Sequence, residues 1–138
     1  MRTSQAIATV LTVAVYLAAL VACTPRVSDP DWQTRPVWGL KPVREADLRR
    51  FLSDVKVGPH CCDAAEIYFS DGRYIAVLPT ARPGRYTVSG NVVSVLALSG
   101  QPVEAHRFYT DETGKVFYTT RGRDGALAAN PRPIGGQP

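Results

Sequence analysis

This chain has few of the side chains on which enzymes and metal centres depend. Its 138 residues include three cysteines and two histidines. It contains no serine-hydrolase G-x-S-x-G, no zinc-protease H-E-x-x-H and no phosphate-binding glycine loop. The excess of positive charge is also small. The formal net charge is +4, and the basic residues are scattered rather than gathered in a stripe. We therefore expect neither an enzyme nor a partner of nucleic acid.

Long apolar runs are equally scarce, and the one present stands at the start. Residues 6–22, AIATVLTVAVYLAALVA, follow Arg2 and end in small residues, which is typical of a secretory signal. The sequence LVAC, from Leu20 to Cys23, matches the lipobox at every position, so this segment resembles a bacterial lipoprotein signal peptide. The resemblance implies cleavage before Cys23 and acylation, including palmitate, at that residue. The alternative is an uncleaved span, because bilayers need roughly 20 apolar residues.

The residue after the anchor bears on location. In lipoproteins of bacteria with two membranes, aspartate at that position favours the inner membrane, and here it is Thr24. The resemblance thus implies an outer-membrane protein, lipid-anchored and facing the periplasm. The inner membrane and the cell surface are the alternatives.

Composition divides the chain into four parts. Four prolines after Cys23 predict a semi-rigid tether, and a low apolar content near the end predicts disorder. The predicted parts are a signal peptide over 1–22, a tether with the acylated cysteine over 23–42, a small domain over 43–120 and a disordered tail over 121–138.

Two tryptophans lie in the predicted tether, Trp32 and Trp38. Such large amphipathic rings can dock on the domain, lie in the lipid interface or bind a partner. Docking on the domain is the expectation.

The domain begins with a helical pattern. Over residues 43–55, apolar side chains recur at i, i+3, i+4 and i+7, namely Leu48, Phe51, Leu52 and Val55. Pro42 precedes the pattern and glycine and proline at 58–59 end it. This predicts one amphipathic helix.

Turn residues then predict three β-hairpins, around Asp71-Gly72, Gly90-Asn91 and residues 111–114. The predicted cross-strand pairs are Phe69 with Tyr74 and Ile67 with Ala76, then Val88 with Val93 and Tyr86 with Val95, and finally Phe108 with Phe117 and Tyr109 with Val116. Between the first two hairpins, Pro79, Pro83 and Gly84 predict a loop. The predicted fold class is α+β: an N-terminal amphipathic helix packed on a curved antiparallel meander of about six strands, resembling a half-barrel.

The one chemically unusual motif is His60-Cys61-Cys62. In an exported protein whose Cys23 is acylated, these two thiols can close a strained vicinal disulfide suited to thiol exchange. Alternatively they can bind copper or zinc, with His60 and either Asp63 or His106 as further ligands. The third interpretation is structural, with one cysteine packed in the core. The sequence leaves all three open.

Acidic residues offer no catalytic pair. Glu66, Asp71, Asp111 and Glu112 are predicted to be solvated residues at strand ends and turns. The favoured function is a membrane-anchored, non-enzymatic binding or accessory module without a cofactor, whose partner is another envelope protein. The alternatives are a metal- or thiol-handling lipoprotein centred on Cys61 and Cys62, and an inhibitor of a cell-wall hydrolase.

Overall fold

The computed structural model describes residues 34–58, 65–77 and 80–135. Within these residues eleven strands form one antiparallel sheet, and the helical content is α1, the seven residues Glu45–Phe51. The strands are β1 (Thr34–Arg35), β2 (Lys41–Pro42), β3 (Val55–Val57), β4 (Ala65–Tyr68), β5 (Arg73–Val77), β6 (Ala81–Ser89), β7 (Val92–Ala97), β8 (Pro102–Thr110), β9 (Val116–Tyr118), β10 (Ala126–Ala128) and β11 (Arg132–Pro133). An antiparallel sheet was predicted, and this is confirmed. The α+β class is wrong.

The helix is shorter than predicted because Asp54 breaks the helical path. Asp54 has φ +56°, a left-handed conformation that turns the chain out of a right-handed helix. Val55 then begins β3, where Val55 and Val57 are both buried. The alternation of buried and partly exposed side chains over 55–57 is that of a strand, and it prevails over the helical spacing that predicted a helix over 43–55.

The sheet curls round until its two ends meet. Its strand order is β1-β10-β9-β8-β7-β6-β5-β4-β3-β11, with β2 pairing on β8. Residues 129–131 alone separate β10, the strand next to the β1 end, from β11 at the other end. Gly58, in the loop after β3, donates its N–H to the Ala129 carbonyl. The inward side chains of nearly every strand therefore share one interior, whose largest fully buried members include Tyr68 and Phe108.

Polar contacts hold α1 against the β6–β7 turn. Glu45 accepts a 2.8 Å hydrogen bond from the Gly90 N–H, and Arg49 donates a 2.7 Å bond to the Val88 carbonyl. Leu48 and Leu52 are fully buried in the core. The helix thus contributes two anchors to an interior that is otherwise built by strands.

The segment 121–138 differs from the predicted disordered tail, because β10 and β11 lie within it. Residues 126–129 are buried, β10 pairs with both β9 and β1, and β11 pairs with β3. Leu127 and three alanines carry too little apolar content to stand out in composition. They are ordered because β10 pairs with β9 and the β11 that follows pairs with β3.

The predicted tether is also partly sheet. Residues 34–42 include β1 and β2, which pair with β10 and β8. Residues 1–33, with the predicted signal peptide and Cys23, lie outside the described residues.

The hairpin at Gly90-Asn91 has the predicted register, with Val88 opposite Val93 and Tyr86 opposite Val95. The other two hairpins are shifted by one residue. Tyr68 faces Tyr74 in the first, so that Ile67 faces Ile75. In the third, Phe108 faces Tyr118 and Tyr109 faces Phe117.

A three-residue loop explains the shift. Phe69 donates its N–H to the Arg73 carbonyl, and Gly72 donates to the Phe69 carbonyl, which leaves residues 70–72 as the loop. Gly72 has φ +88° and occupies its last position. The loops 98–100 and 112–114 repeat this arrangement with Gly100 and Gly114. The glycines therefore end three-residue loops and do not mark two-residue turns.

Pro83 and Gly84 belong to β6, and the loop predicted for them is wrong; Pro79 lies outside the described residues. Tyr86 donates its N–H towards β5, to the Gly72 carbonyl. Backbone nitrogens point alternately to the two sides of a strand, so the nitrogen of Pro83 points away from β5 and towards β7. Because the pairing with β7 ends at Gly84, no hydrogen bond is lost there. A Cβ on Gly84 would collide with the Leu96 carbonyl oxygen. Glycine is required here because β6 and β7 approach too closely for a side chain.

Candidate functional site

The interior contains one fully buried histidine. Along β8, Glu104, His106 and Phe108 alternate onto the inner face, and His106 is 0% exposed. Its ring meets Tyr118 edge-on at 5.7 Å. The Nδ1 atom lies 2.8 Å from the Thr119 carbonyl, which can only accept, so Nδ1 carries the hydrogen and donates it. This bond fixes the ring and directs Nε2 towards two carboxylates.

Those carboxylates belong to Glu66 on β4 and Glu104. The distance from His106 Nε2 is 2.9 Å to Glu66 Oε1 and 3.8 Å to Glu104 Oε2. Neither oxygen lies where an Nε2–H bond would point, and among the described residues Nε2 has no hydrogen-bond partner. We call these three residues the Glu–His–Glu cluster. Their ligand atoms lie within 4.8 Å of one another.

Further residues hold each carboxylate in place. Tyr68 donates its phenol hydrogen to Glu66 Oε2 at 2.9 Å, and Tyr74 donates to Glu66 Oε1 at 3.1 Å. Glu104 Oε1 accepts bonds from the Thr120 hydroxyl and the Arg121 N–H. These bonds leave Glu104 Oε2 directed at His106. Both carboxylates are therefore positioned from outside the cluster.

Burial and negative charge set the ionisation of the groups in this interior. Burial by itself lowers the pKa of His106, but Glu66, the Thr119 carbonyl and Glu104 outweigh it and raise the pKa to about 9. Burial, reinforced by the Glu66 charge, raises the pKa of Tyr68, Tyr74 and Tyr118 well above the usual tyrosine value. The phenols therefore remain donors at neutral pH.

A cavity of about 320 Å³ adjoins the cluster. Its wall includes Glu104 of the cluster and Tyr74, which bonds to Glu66. Arg82, Gly84 and Val103 form other parts of the wall. The cavity provides access from solvent towards Glu104.

Only some of the predicted site residues lie in the part of the chain that the structure describes. His60, Cys61, Cys62 and Cys23 fall outside the described residues, so their predicted roles stay predictions. His106 is described, and its neighbours are carboxylates. Glu66 was predicted to be solvated, which is wrong, since it is the centre of the polar contacts in the interior.

The two turn aspartates bond to turn N–H groups as predicted, but the Asp111 side chain is only 10% exposed and is also paired with Arg35, so it is not solvated. Asp71 accepts a hydrogen bond from the Arg73 N–H, and Asp111 Oδ1 accepts from the Thr113 and Lys115 N–H groups. The Arg73 N–H lowers the pKa of Asp71. The Thr113 hydroxyl, followed by the Lys115 and Thr113 N–H groups, lowers the pKa of Asp111. Both side chains stabilise turns.

Trp38 is a second candidate, on the outer surface. It is 84% exposed, which contradicts the expectation that it docks on the domain; Trp32 is not described. The turn beneath it is fixed, because Leu40 donates its N–H to the Val37 carbonyl and both residues pack with Phe117 in a small apolar cluster. Strands β1 and β2 pair with the sheet on either side of this turn. A large apolar ring is thus held out into solvent by an ordered support.

No family model, curated protein or solved structure matches this chain. None of the helices in the described part of the chain is long and apolar enough to cross a membrane. The fold and the site define a small antiparallel β protein that has a Glu–His–Glu cluster inside and an exposed tryptophan outside.

Proposed function

We propose that this protein is a lipid-anchored envelope protein whose small β domain is a non-enzymatic module that binds another envelope protein. The lipobox supports an anchor at Cys23, and Thr24 after it supports the outer membrane with the domain in the periplasm. The observation that carries the binding role is the exposure of Trp38 on a fixed turn.

Trp38 has the properties of an interface anchor. Tryptophan is enriched among the few residues that dominate protein–protein binding energy, because it fills a partner's pocket with a large apolar area. A side chain on an ordered turn loses less conformational freedom on binding than one on a mobile segment.

The position of Trp38 in the chain favours a partner in the envelope. Eleven residues lead from Cys23 to Gln33, and a fully extended chain of that length spans at most roughly 40 Å. A surface so close to the anchor meets proteins in or beside the same membrane.

A non-enzymatic role is supported by the burial of the one described histidine. A general acid or base must come within hydrogen-bond reach of its substrate. His106 is 0% exposed, and its Nδ1–H is bonded to Thr119.

The anchor is tested in the source bacterium by labelling with an alkynyl palmitate analogue. Wild type should incorporate the label and fractionate with the outer membrane, whereas Cys23→Ala should lose both. Cys61→Ser is the matched control and should keep the lipid. Thr24→Asp should move the protein to the inner membrane. Label that persists in Cys23→Ala would refute the anchor.

The partner is tested by placing a photo-crosslinking amino acid at position 38 and, as a control, at the exposed Arg85. We expect one discrete protein adduct from position 38 and none from position 85. Purified with that partner, Trp38→Ala should bind at least about 30-fold more weakly, as expected when a hot-spot residue worth about 2 kcal/mol is removed.

Two results would contradict a protein partner. One is the same adducts from both positions. The other is a blue shift of Trp38 fluorescence on anionic vesicles, measured in a Trp32→Phe background, with no protein adduct. That second result would assign Trp38 to the lipid interface.

A further inference from the structure

We propose that Glu66, Glu104 and His106 bind one divalent transition-metal ion of the Zn²⁺ class. This site is independent of the Trp38 surface and goes beyond the binding role proposed above.

The spacing of the donor atoms suits a single ion. His106 Nε2 lies 2.9 Å from Glu66 Oε1 and 3.8 Å from Glu104 Oε2. Nitrogen and oxygen ligands lie about 2.0–2.2 Å from Zn²⁺, so two ligands of one ion are roughly 3–4 Å apart. An ion therefore fits among these three atoms after small side-chain movements.

The buried imidazole nitrogen is the independent observation that points to a ligand. His106 is fully buried, and its Nε2 has no hydrogen-bond partner among the described residues. A buried polar atom left unpaired costs about 1–3 kcal/mol. Because Nδ1–H donates to the Thr119 carbonyl, the neutral ring presents the Nε2 lone pair to the carboxylates. That is the tautomer in which histidines bind metals, with the other nitrogen held by a backbone carbonyl.

Charge also favours a cation. Glu66 and Glu104 both direct a carboxylate oxygen at Nε2 of His106. Acidic side chains gathered round one nitrogen attract positive charge, and a divalent ion supplies more of it than the single proton that His106 can take up. The ion would also give Nε2 the partner that it lacks among the hydrogen bonds of the described residues.

The surrounding residues supply the outer contacts that a metal site requires. Tyr68 and Tyr74 donate to Glu66, and two groups donate to Glu104 Oε1, which leaves Oε2 for the ion. Bonds of this kind orient metal-binding carboxylates. Glu104 and Tyr74 also line the cavity of about 320 Å³, which therefore lies beside the Glu–His–Glu cluster.

The donor set selects the class of metal. An imidazole with two carboxylates suits Zn²⁺ and its first-row neighbours, whereas Mg²⁺ and Ca²⁺ prefer oxygen alone and Cu(I) prefers sulfur. This ligand set shares His106 with the one predicted from sequence, but it replaces the thiols by carboxylates.

The test is calorimetric titration of Zn²⁺ into the full lipidated protein in detergent, after chelation, with Co²⁺ absorption as a second readout. Wild type should bind one ion per chain. Glu66→Gln and Glu104→Gln, which preserve shape, should weaken binding by roughly 100-fold. Glu112→Gln, which changes an exposed carboxylate, is the matched control and should bind like wild type. Circular dichroism checks that each variant is folded.

The cysteines are tested together. A Cys61→Ser/Cys62→Ser double variant should retain Zn²⁺ affinity, and Co²⁺ should show no sulfur-to-metal charge-transfer band. Loss of binding in the double variant, undiminished binding in both glutamine variants, or no binding by wild type would each overturn the proposal. Because Glu66→Gln and Glu104→Gln are isosteric with the wild type, a loss of binding in these variants reports the lost carboxylate rather than a lost fold.

Discussion

Nε2 of His106 lies 2.9 Å from Oε1 of Glu66, and no part of the imidazole is exposed to solvent. In the metal-free protein this contact is an internal ion pair, and the pKa of His106 is raised to about 9. Since the unfolded chain has a histidine pKa of about 6.5, the folded state binds the proton more tightly. The contribution of the pair to stability is therefore complete below pH 6.5 and is lost as the pH rises towards 9.

We predict that, with a chelator present, the free energy of unfolding falls by about 3 kcal/mol between pH 6.5 and pH 9.5, since each pKa unit corresponds to about 1.4 kcal/mol. Urea unfolding at a series of pH values measures it. His106→Gln should remove most of this slope, and His60→Gln should keep it. A wild-type curve without a slope in this range would contradict the ion pair.

The phenol of Tyr68 is fully buried and bonded to Glu66. Tyr68→Phe should lower the free energy of unfolding by about 1.5–3 kcal/mol, because it removes a hydrogen bond to a charged group. Tyr109→Phe, at a half-buried residue of the outer apolar cluster, is the control and should change it by less than about 0.5 kcal/mol. Equal effects of the two substitutions, measured by urea unfolding, would show that the bond to Glu66 adds nothing.

Gly84 lies against the Leu96 carbonyl oxygen, so the methyl group of Gly84→Ala would collide with that backbone oxygen. We expect a loss of at least about 1–3 kcal/mol, as in overpacked cores. Gly122→Ala is the comparison, because Gly122 has φ +77° but open space around it, and it should cost about 1 kcal/mol. Thermal unfolding of both variants measures these losses. A Gly84→Ala protein as stable as wild type would show that β6 and β7 do not approach closely at Gly84.

Leu127 is buried in the core although it lies in the predicted tail. Leu127→Ala should lower the free energy of unfolding by about 2–5 kcal/mol through lost burial and a residual cavity. Leu98→Ala removes the same atoms from a side chain that is 68% exposed, and should change it by less than about 0.5 kcal/mol. A disordered tail would instead make the two variants equally stable.

Turn chemistry made part of the sheet predictable. Gly90-Asn91 allowed the predicted two-residue turn, and its hairpin has the predicted register. An Asp-Gly pair, however, fits a two-residue turn as well as the end of a three-residue loop, and the choice depends on packing that the sequence does not display. At Gly72 the structure has the longer loop, which shifts the register by one residue.

That single shift also hid the candidate site. Side chains alternate along a strand, so a one-residue slip exchanges the two faces. The predicted pairing of Ile67 with Ala76 assigned Ile67 to the same face as Tyr74, and thereby Glu66 to the opposite one. In the structure Glu66 faces Ala76 and shares the inner face with Tyr74. His106 was recognised as a candidate ligand only because histidines are few.

The meeting of the two ends of the sheet has a consequence for biosynthesis. Residues 126–133 fill the gap between β9 and β3, and they leave the ribosome after every strand that they join. Until they emerge, the nascent polypeptide has two unpaired edges and an interior without Leu127, so it cannot complete its cooperative fold. For a protein whose domain is proposed to lie in the periplasm, we expect such late closure to delay folding until the last strands have crossed the inner membrane.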